Sequence, residues 1–141
     1  MQHYTSAEVA AKVLHRSAMR ELVAECHELI AEELRIKSLV IELQSEYNSL
    51  SVFTGSLGGS RGKMYNGLLE KDLATADEKT KEAKLLVEDP KLITTAGNDL
   101  DRMQGRIGAG RLELQTIREG MLRNLENVRG ENQHYREKVS T

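Results

Sequence analysis

Residues 90–139 read PKLITTAGNDLDRMQGRIGAGRLELQTIREGMLRNLENVRGENQHYREKV. Sampled every three or four positions, the stretch gives Ile93, Ala96, Leu100, Met103, Ile107, Gly110, Leu114, Ile117, Met121, Leu125, Val128, Asn132, Tyr135 and Val139. The steps alternate 3-4 throughout, apart from a doubled four at Ile117–Met121–Leu125. That doubled step is a stutter, which locally unwinds a left-handed supercoil, and it marks a point where the helix is expected to change partner. Arg and Glu fill the positions between, as a solvated helix surface requires. A 3-4 repeat held over this length predicts the seam of a coiled coil or a slender helical bundle.

The start of this helix is written in Asp89-Pro90. The aspartate reads as an N-cap accepting from exposed amides, and the proline as the first helical residue, where its missing N–H costs nothing. Gly97, Gly105, Gly108, Gly110, Gly120 and Gly130 oppose the helix, each by about 1 kcal/mol relative to Ala. The register nevertheless continues across them. The helix is therefore expected to span residues 90–138 without a break at Thr94–Asn98, with Gly110, on the seam itself, marking a close approach of another backbone.

Upstream, a shorter helix is predicted over residues 63–88, with Leu69, Leu73, Ala76, Thr80, Ala83 and Val87 at 3-4 spacing. Before it, residues 51–62 hold four Gly and three Ser and read as a flexible connection. A phosphate-binding loop does not fit there. Gly62-Lys63 is followed by Met64, position 57 is Leu, and the preceding segment is helical rather than a strand.

The first helix is predicted over residues 5–50. Thr5-Ser6-Ala7-Glu8 has the form of a capping box, and no Gly or Pro follows until Gly55. Its seam is His15, Met19, Leu22, Cys26, Leu29, Glu33, Ile36, Val40, Leu43, Tyr47 and Leu50. A second stripe, Val9, Val13, Val23, Ile30, Leu34 and Ile41, lies alongside and widens the face expected to be buried, so that this helix touches more than one neighbour.

Composition agrees with a long-helix protein. The 141 residues suggest one domain, with 4% aromatic residues, no Trp, one Pro and 30% charged residues. A hydrophobic fraction of 39% arranged in narrow stripes suggests burial in an assembly. Net charge is −2. Acids outnumber bases in the first two helices, and bases, mostly Arg, outnumber acids in the third. This reads as complementary charge between helices rather than a nucleic-acid surface. The lone Cys26 forms no internal disulfide, and no stretch is apolar enough to span a bilayer, so a cytoplasmic, reducing compartment is expected.

Candidate sites are few. Glu131 and His134 form an E-x-x-H pair, but a di-metal bundle needs a second such pair, and none exists. Cys26 and His27 are adjacent and point about 100° apart on a helix. Cys26 reads as a small core residue and His15 as an interface histidine. Glu33, a charge among Leu29, Ile36 and Val40, is expected to meet an Arg or Lys from another helix or partner. The run Met121-Leu122-Arg123-Asn124-Leu125, with Arg129 after it, resembles the N-terminal half of a membrane-fusion SNARE helix. The central polar layer and second half of that motif are missing here, so no function follows from the resemblance.

The expectation is an all-α fold, an elongated antiparallel three-helix bundle or coiled coil with two long helices and one shorter. The expected function is a non-enzymatic structural or adaptor subunit docking into a larger protein assembly, with no catalytic, cofactor or metal site. Its partners would be other helical proteins or a second copy, with no nucleic acid, membrane insertion or small-molecule substrate. The predicted partner-binding seam is Leu22, Leu29, Glu33, Ile36, Val40, Leu43, Tyr47, Leu114, Ile117, Met121, Leu125, Val128 and Tyr135. A shorter middle helix would leave part of each long seam uncovered, first of all beyond the stutter, at Val128 and Tyr135. The alternative function is a helical chaperone or escort for a client helix; a metal-binding bundle ranks third.

Overall fold

The computed structural model describes residues 5–55 and 60–140, and the described chain is helical. In order come α1 (Ser6–Thr54), α2 (Ser60–Glu88), the single turn α3 (Lys91–Thr94), a 3-10 turn (Gly97–Asp99) and α4 (Leu100–Ser140). The protein is an all-α bundle of two long helices and a shorter one.

Local chemistry sets the ends. The capping box forms: Oγ1 of Thr5 accepts from the amide of Glu8 at 3.2 Å, and the Glu8 carboxylate accepts from the amide of Thr5 at 3.1 Å. At its other end α1 runs four residues past the predicted stop. The Ser51 and Thr54 hydroxyls fold back onto the carbonyls of Tyr47 and Leu50 at 2.9 and 3.0 Å, and Gly55, at φ 68°, closes the helix in the left-handed conformation. The predicted loop over 51–62 is thus shortened from both sides, and residues 56–59 of it lie outside the described residues.

The predicted third helix does not run unbroken from residue 90. It makes one turn, breaks at Gly97, whose φ is 56°, and restarts at Leu100. A left-handed residue cannot continue a right-handed helix, and Gly is the residue that adopts it without steric cost. The Asp89 side chain makes no cap here; the backbone carbonyls of Asp89 and Pro90 accept from Leu92 and Ile93 instead.

Direction follows from the side-chain pairs. Glu25 meets Arg111, Glu32 meets Arg118 and Glu46 meets Asn132, each pair separated by 86 residues. A constant difference means that α1 and α4 run parallel. Glu33 meets Lys84, and Tyr47 stacks on Tyr65, so α2 runs antiparallel to α1. Glu82 with Arg106 and Lys79 with Glu113 make α2 antiparallel to α4 as well. The order is up, down, up, with α1 carrying most of the packing.

The core is built in sevens. On α1 it takes Leu22, Leu29, Ile36, Leu43 and Leu50; on α4, Leu100, Ile107, Leu114, Met121 and Val128; on α2, Leu69, Ala76 and Ala83. The doubled four on α4 changes no partner, because the offset of 86 to α1 holds on both sides of it. What changes is the stripe beside it. Met103, Gly110 and Ile117 continue at sevens as Asn124 and Glu131, which line an open cleft of about 310 Å³ with Tyr65 and Leu68 of α2. Beyond Ile117 the buried positions beside Met121 and Val128 are Leu125 and Asn132, on the stripe of Arg111 and Arg118 that faces α1.

Candidate interaction surfaces

The residues predicted to bind a partner are brought together, but with one another. Leu22, Leu29, Ile36, Leu43 and Leu114 are fully buried, Glu33, Val40, Met121, Leu125 and Val128 nearly so, and Tyr47, Ile117 and Tyr135 are half-buried. These side chains form the chain's own core. The physical reason is the parallel register: α4 lies alongside α1 as far as the end of both, so the long seams cover each other. Past the stutter, where an uncovered length was expected, Val128 and Asn132 are buried and Tyr135 stacks on Phe53 with ring centres 5.8 Å apart.

Glu33 meets its base. Lys84 Nζ lies 2.6 Å from Oε1, Lys37 lies 3.7 Å from the same oxygen, and the Thr80 hydroxyl is 3.0 Å from Oε2. Sequence reasoning missed its neighbour. Glu32, only 1% exposed, receives Arg118 on both oxygens, at 2.7 and 3.3 Å, and Arg35 at 2.7 Å. A buried carboxylate is tolerable only when paired and hydrogen-bonded, and both glutamates meet that condition. The signal was present as Glu25, Glu32, Leu39, Glu46 on one helix and Arg111, Arg118, Leu125, Asn132 on the other: the same heptad spacing, with opposite charge in two of four places. Asn132 donates to the Glu46 carbonyl and carboxylate at 3.0 and 2.6 Å, while its own Oδ1 is buried with no hydrogen-bond partner among the described residues. The excess of Arg in the last helix is thereby matched to glutamates of the first two.

Cys26 is buried with a free thiol, and burial, with Glu82 and Glu25 nearby, pushes its pKa up to about 11. His15 is exposed rather than interfacial. The offset of 86 sets Leu100, the first residue of α4, level with residue 14, so the start of α1 has no α4 beside it. His27, Glu131 and His134 are exposed. Among the described residues no three His, Cys, Asp or Glu side chains converge as a metal site, and no helix is long and apolar enough to cross a membrane.

What stays open is the second stripe of α1. It was expected to be buried, and the core face is instead completed on the opposite flank, by Glu25, Glu32, Leu39 and Glu46. Val9, Val13, Leu34 and Ile41 are 48%, 59%, 58% and 68% exposed, and Val23 and Ile30 are half-buried. With Arg16, Arg20, His27 and Lys37 filling the gaps, this stripe keeps strict 3-4 spacing from Val9 to Ile41. Beside it on the solvent side run Ala10, Ser17, Ala24, Ala31, Ser38 and Ser45, small residues at sevens. Residues 5–17 are exposed throughout, and those before residue 14 extend beyond the start of α4. Where the projection meets the bundle, a groove of about 360 Å³ opens between α1 and the elbow that joins α2 to α4 (residues 89–99), walled by Met19, Val23, Pro90 and Ile93 and flanked by Arg16 and Arg20. Comparison with protein-family models, with curated proteins and with solved structures returns no match for this chain.

Proposed function

We propose that this protein is a non-enzymatic helical docking subunit, an adaptor that joins a larger assembly by pairing lengthwise with a partner helix. One observation carries the reading: α1 keeps a second heptad seam on its outer face after its first has been used in the core. Apolar area left in water is unfavourable in proportion to its extent, and exposed Val9, Val13, Leu34 and Ile41, with half-buried Val23 and Ile30 between them, leave apolar surface of the kind that marks an interaction site. The small residues beside it let a second helix approach closely. The docking face is therefore this outer seam and not the inner one, whose side chains are committed to the core.

The test is site-directed photocrosslinking in native extract. A benzophenone amino acid at Leu34 or Ile41 is expected to give discrete higher-mass adducts, and the same probe at Glu126, exposed on α4, is expected to give none. Equal labelling at all three sites, or no adduct at any, would overturn the reading.

A second reading, a reversible escort for a client helix, is favoured by the closure of the core within one chain, which suits a protein that folds before it binds. Sedimentation and circular dichroism on the isolated chain separate the two: a monomer with a sharp melt favours the escort, and a poorly folded or self-associated chain favours the permanent subunit. The buried free thiol of Cys26 suits the reducing, cytoplasmic setting proposed for either.

A further inference from the structure

The outer seam of α1 is chemically one-sided. From Val9 to Ile41 its non-apolar members are Arg16, Arg20, His27 and Lys37, and no carboxylate lies on it. Lys37 has Glu33 at 3.7 Å, whereas Arg16 and Arg20 make no ion pair among the described residues. They are one helical turn apart, so both guanidinium groups sit on the same face. Between them and the elbow lies the groove of Met19, Val23, Pro90 and Ile93, whose floor, Ile93, is only 2% exposed. Elsewhere in the molecule the basic side chains of α4 that face α1 are met by glutamates. Here two arginines border an apolar groove unmatched.

We infer that the outer seam of α1 takes an acidic amphipathic helix from a different protein, with carboxylates meeting Arg16 and Arg20 and an apolar side chain entering the groove between them and Ile93. The inference rests on the docking reading above and adds the chemistry of the partner. A second copy of this chain does not suit the seam, since it would bring the same cations and no carboxylate to neutralise them. An acidic helix supplies opposite charge at the rim, where it sets orientation and rejects wrong partners, while Val23, Ile30, Leu34 and Ile41 provide the apolar contact. At 1.5 Å per residue the seam from Val9 to Ile41 offers about 50 Å of length, enough for several heptads.

The test uses the full chain and two synthetic amphipathic peptides with leucines at 3-4 spacing, one with glutamates and one with lysines on the flanking positions. Fluorescence anisotropy is expected to show the glutamate peptide binding about tenfold more tightly than the lysine peptide. The difference should shrink as salt is raised, because the charges are at the rim. R16E/R20E is expected to reverse the preference; both residues are exposed and, among the described residues, unpaired, so circular dichroism should be unchanged. Equal binding of both peptides, lost in L34E/I41E, would overturn the acidic partner and leave the docking reading standing. Failure of the glutamate peptide to bind would also overturn the inference, and the crosslinks at Leu34 and Ile41 then judge the docking reading by themselves. Self-association that I41E abolishes would show a second copy to be the occupant and sink the proposal.

Discussion

Arg118 and Glu32, 86 residues apart in the chain, meet in a forked pair: Nε donates to Oε2 at 2.7 Å and Nη2 to Oε1 at 3.3 Å. The same separation joins Glu25 to Arg111 and Glu46 to Asn132. These pairs occur at multiples of seven residues, so they fix the register of two parallel helices that hydrophobic stripes alone would let slip by a heptad. Polar groups at a helix interface serve this purpose at a cost in stability.

Removing one partner should be far worse than removing both. Arg118→Ala leaves Glu32 buried with Arg35 as its remaining base, and the expected loss is about 3 kcal/mol. Glu32→Leu with Arg118→Leu should recover most of it, since an apolar pair needs no compensation there. Urea denaturation midpoints of the two variants check this. A double variant as unstable as the single one would contradict it.

Glu33 makes a parallel case on the α2 side. Lys84→Met withdraws the cation at 2.6 Å and leaves Glu33 with Lys37, at 3.7 Å, and the Thr80 hydroxyl, at 3.0 Å. A loss of about 3 kcal/mol is expected, against roughly 1 kcal/mol for Thr80→Val, which removes a neutral donor. If the two variants unfold at the same denaturant concentration, Lys84 is not the principal partner of Glu33.

Cys26 should resist thiol reagents at neutral pH in the folded protein and react once the chain is unfolded. Its pKa of about 11 against 9.0 for the free group means that, between those values, the unfolded chain releases the proton and the folded one retains it. This contribution is complete below pH 9 and is lost as pH rises toward 11. Denaturation of the protein and of its Cys26→Ala variant across that window should show the steeper decline in the protein that has the thiol.

The inside and outside of α1 make opposite predictions for similar residues. Leu29→Ala, at a site with no exposure, should cost about 3 kcal/mol through lost burial and a cavity. Ile41→Ala, at 68% exposure, should stay within roughly 0.5 kcal/mol. Thermal melts of the two variants decide whether the outer seam is free of structural duty, as a docking face should be.

The two informative glycines also diverge. Gly97→Ala should destabilise by about 1 kcal/mol or more, because φ 56° strains any residue with a Cβ. At Gly110 an added Cβ would meet Leu29 at 3.5 Å and the Lys79 carbonyl at 3.6 Å, which is ordinary contact. Gly110→Ala should therefore be neutral or stabilising by up to about 1 kcal/mol, the helix-propensity gain. Calorimetric melting temperatures that move the same way for both would be inconsistent with this.

By itself the sequence determined the helices, the inner seams, the capping box at Thr5 and the need of Glu33 for a base. Each is a local property: a period of 3.6 residues, a hydroxyl three residues before a carboxylate, a charge among leucines. Tertiary structure decided what those seams are for. Periodicity shows that a stripe must be covered and does not show by what. Only the parallel register of α1 and α4 makes the two long seams cover each other, buries Glu32 beside Arg118 and turns the second stripe of α1 outward. The break at Gly97 is of the same kind, since an apolar repeat can run through a glycine on paper and only the folded backbone sets its φ. The C-terminal stretch that reads most like a partner-binding surface is thus core, and the valine-, isoleucine- and arginine-bearing face of α1 is left open.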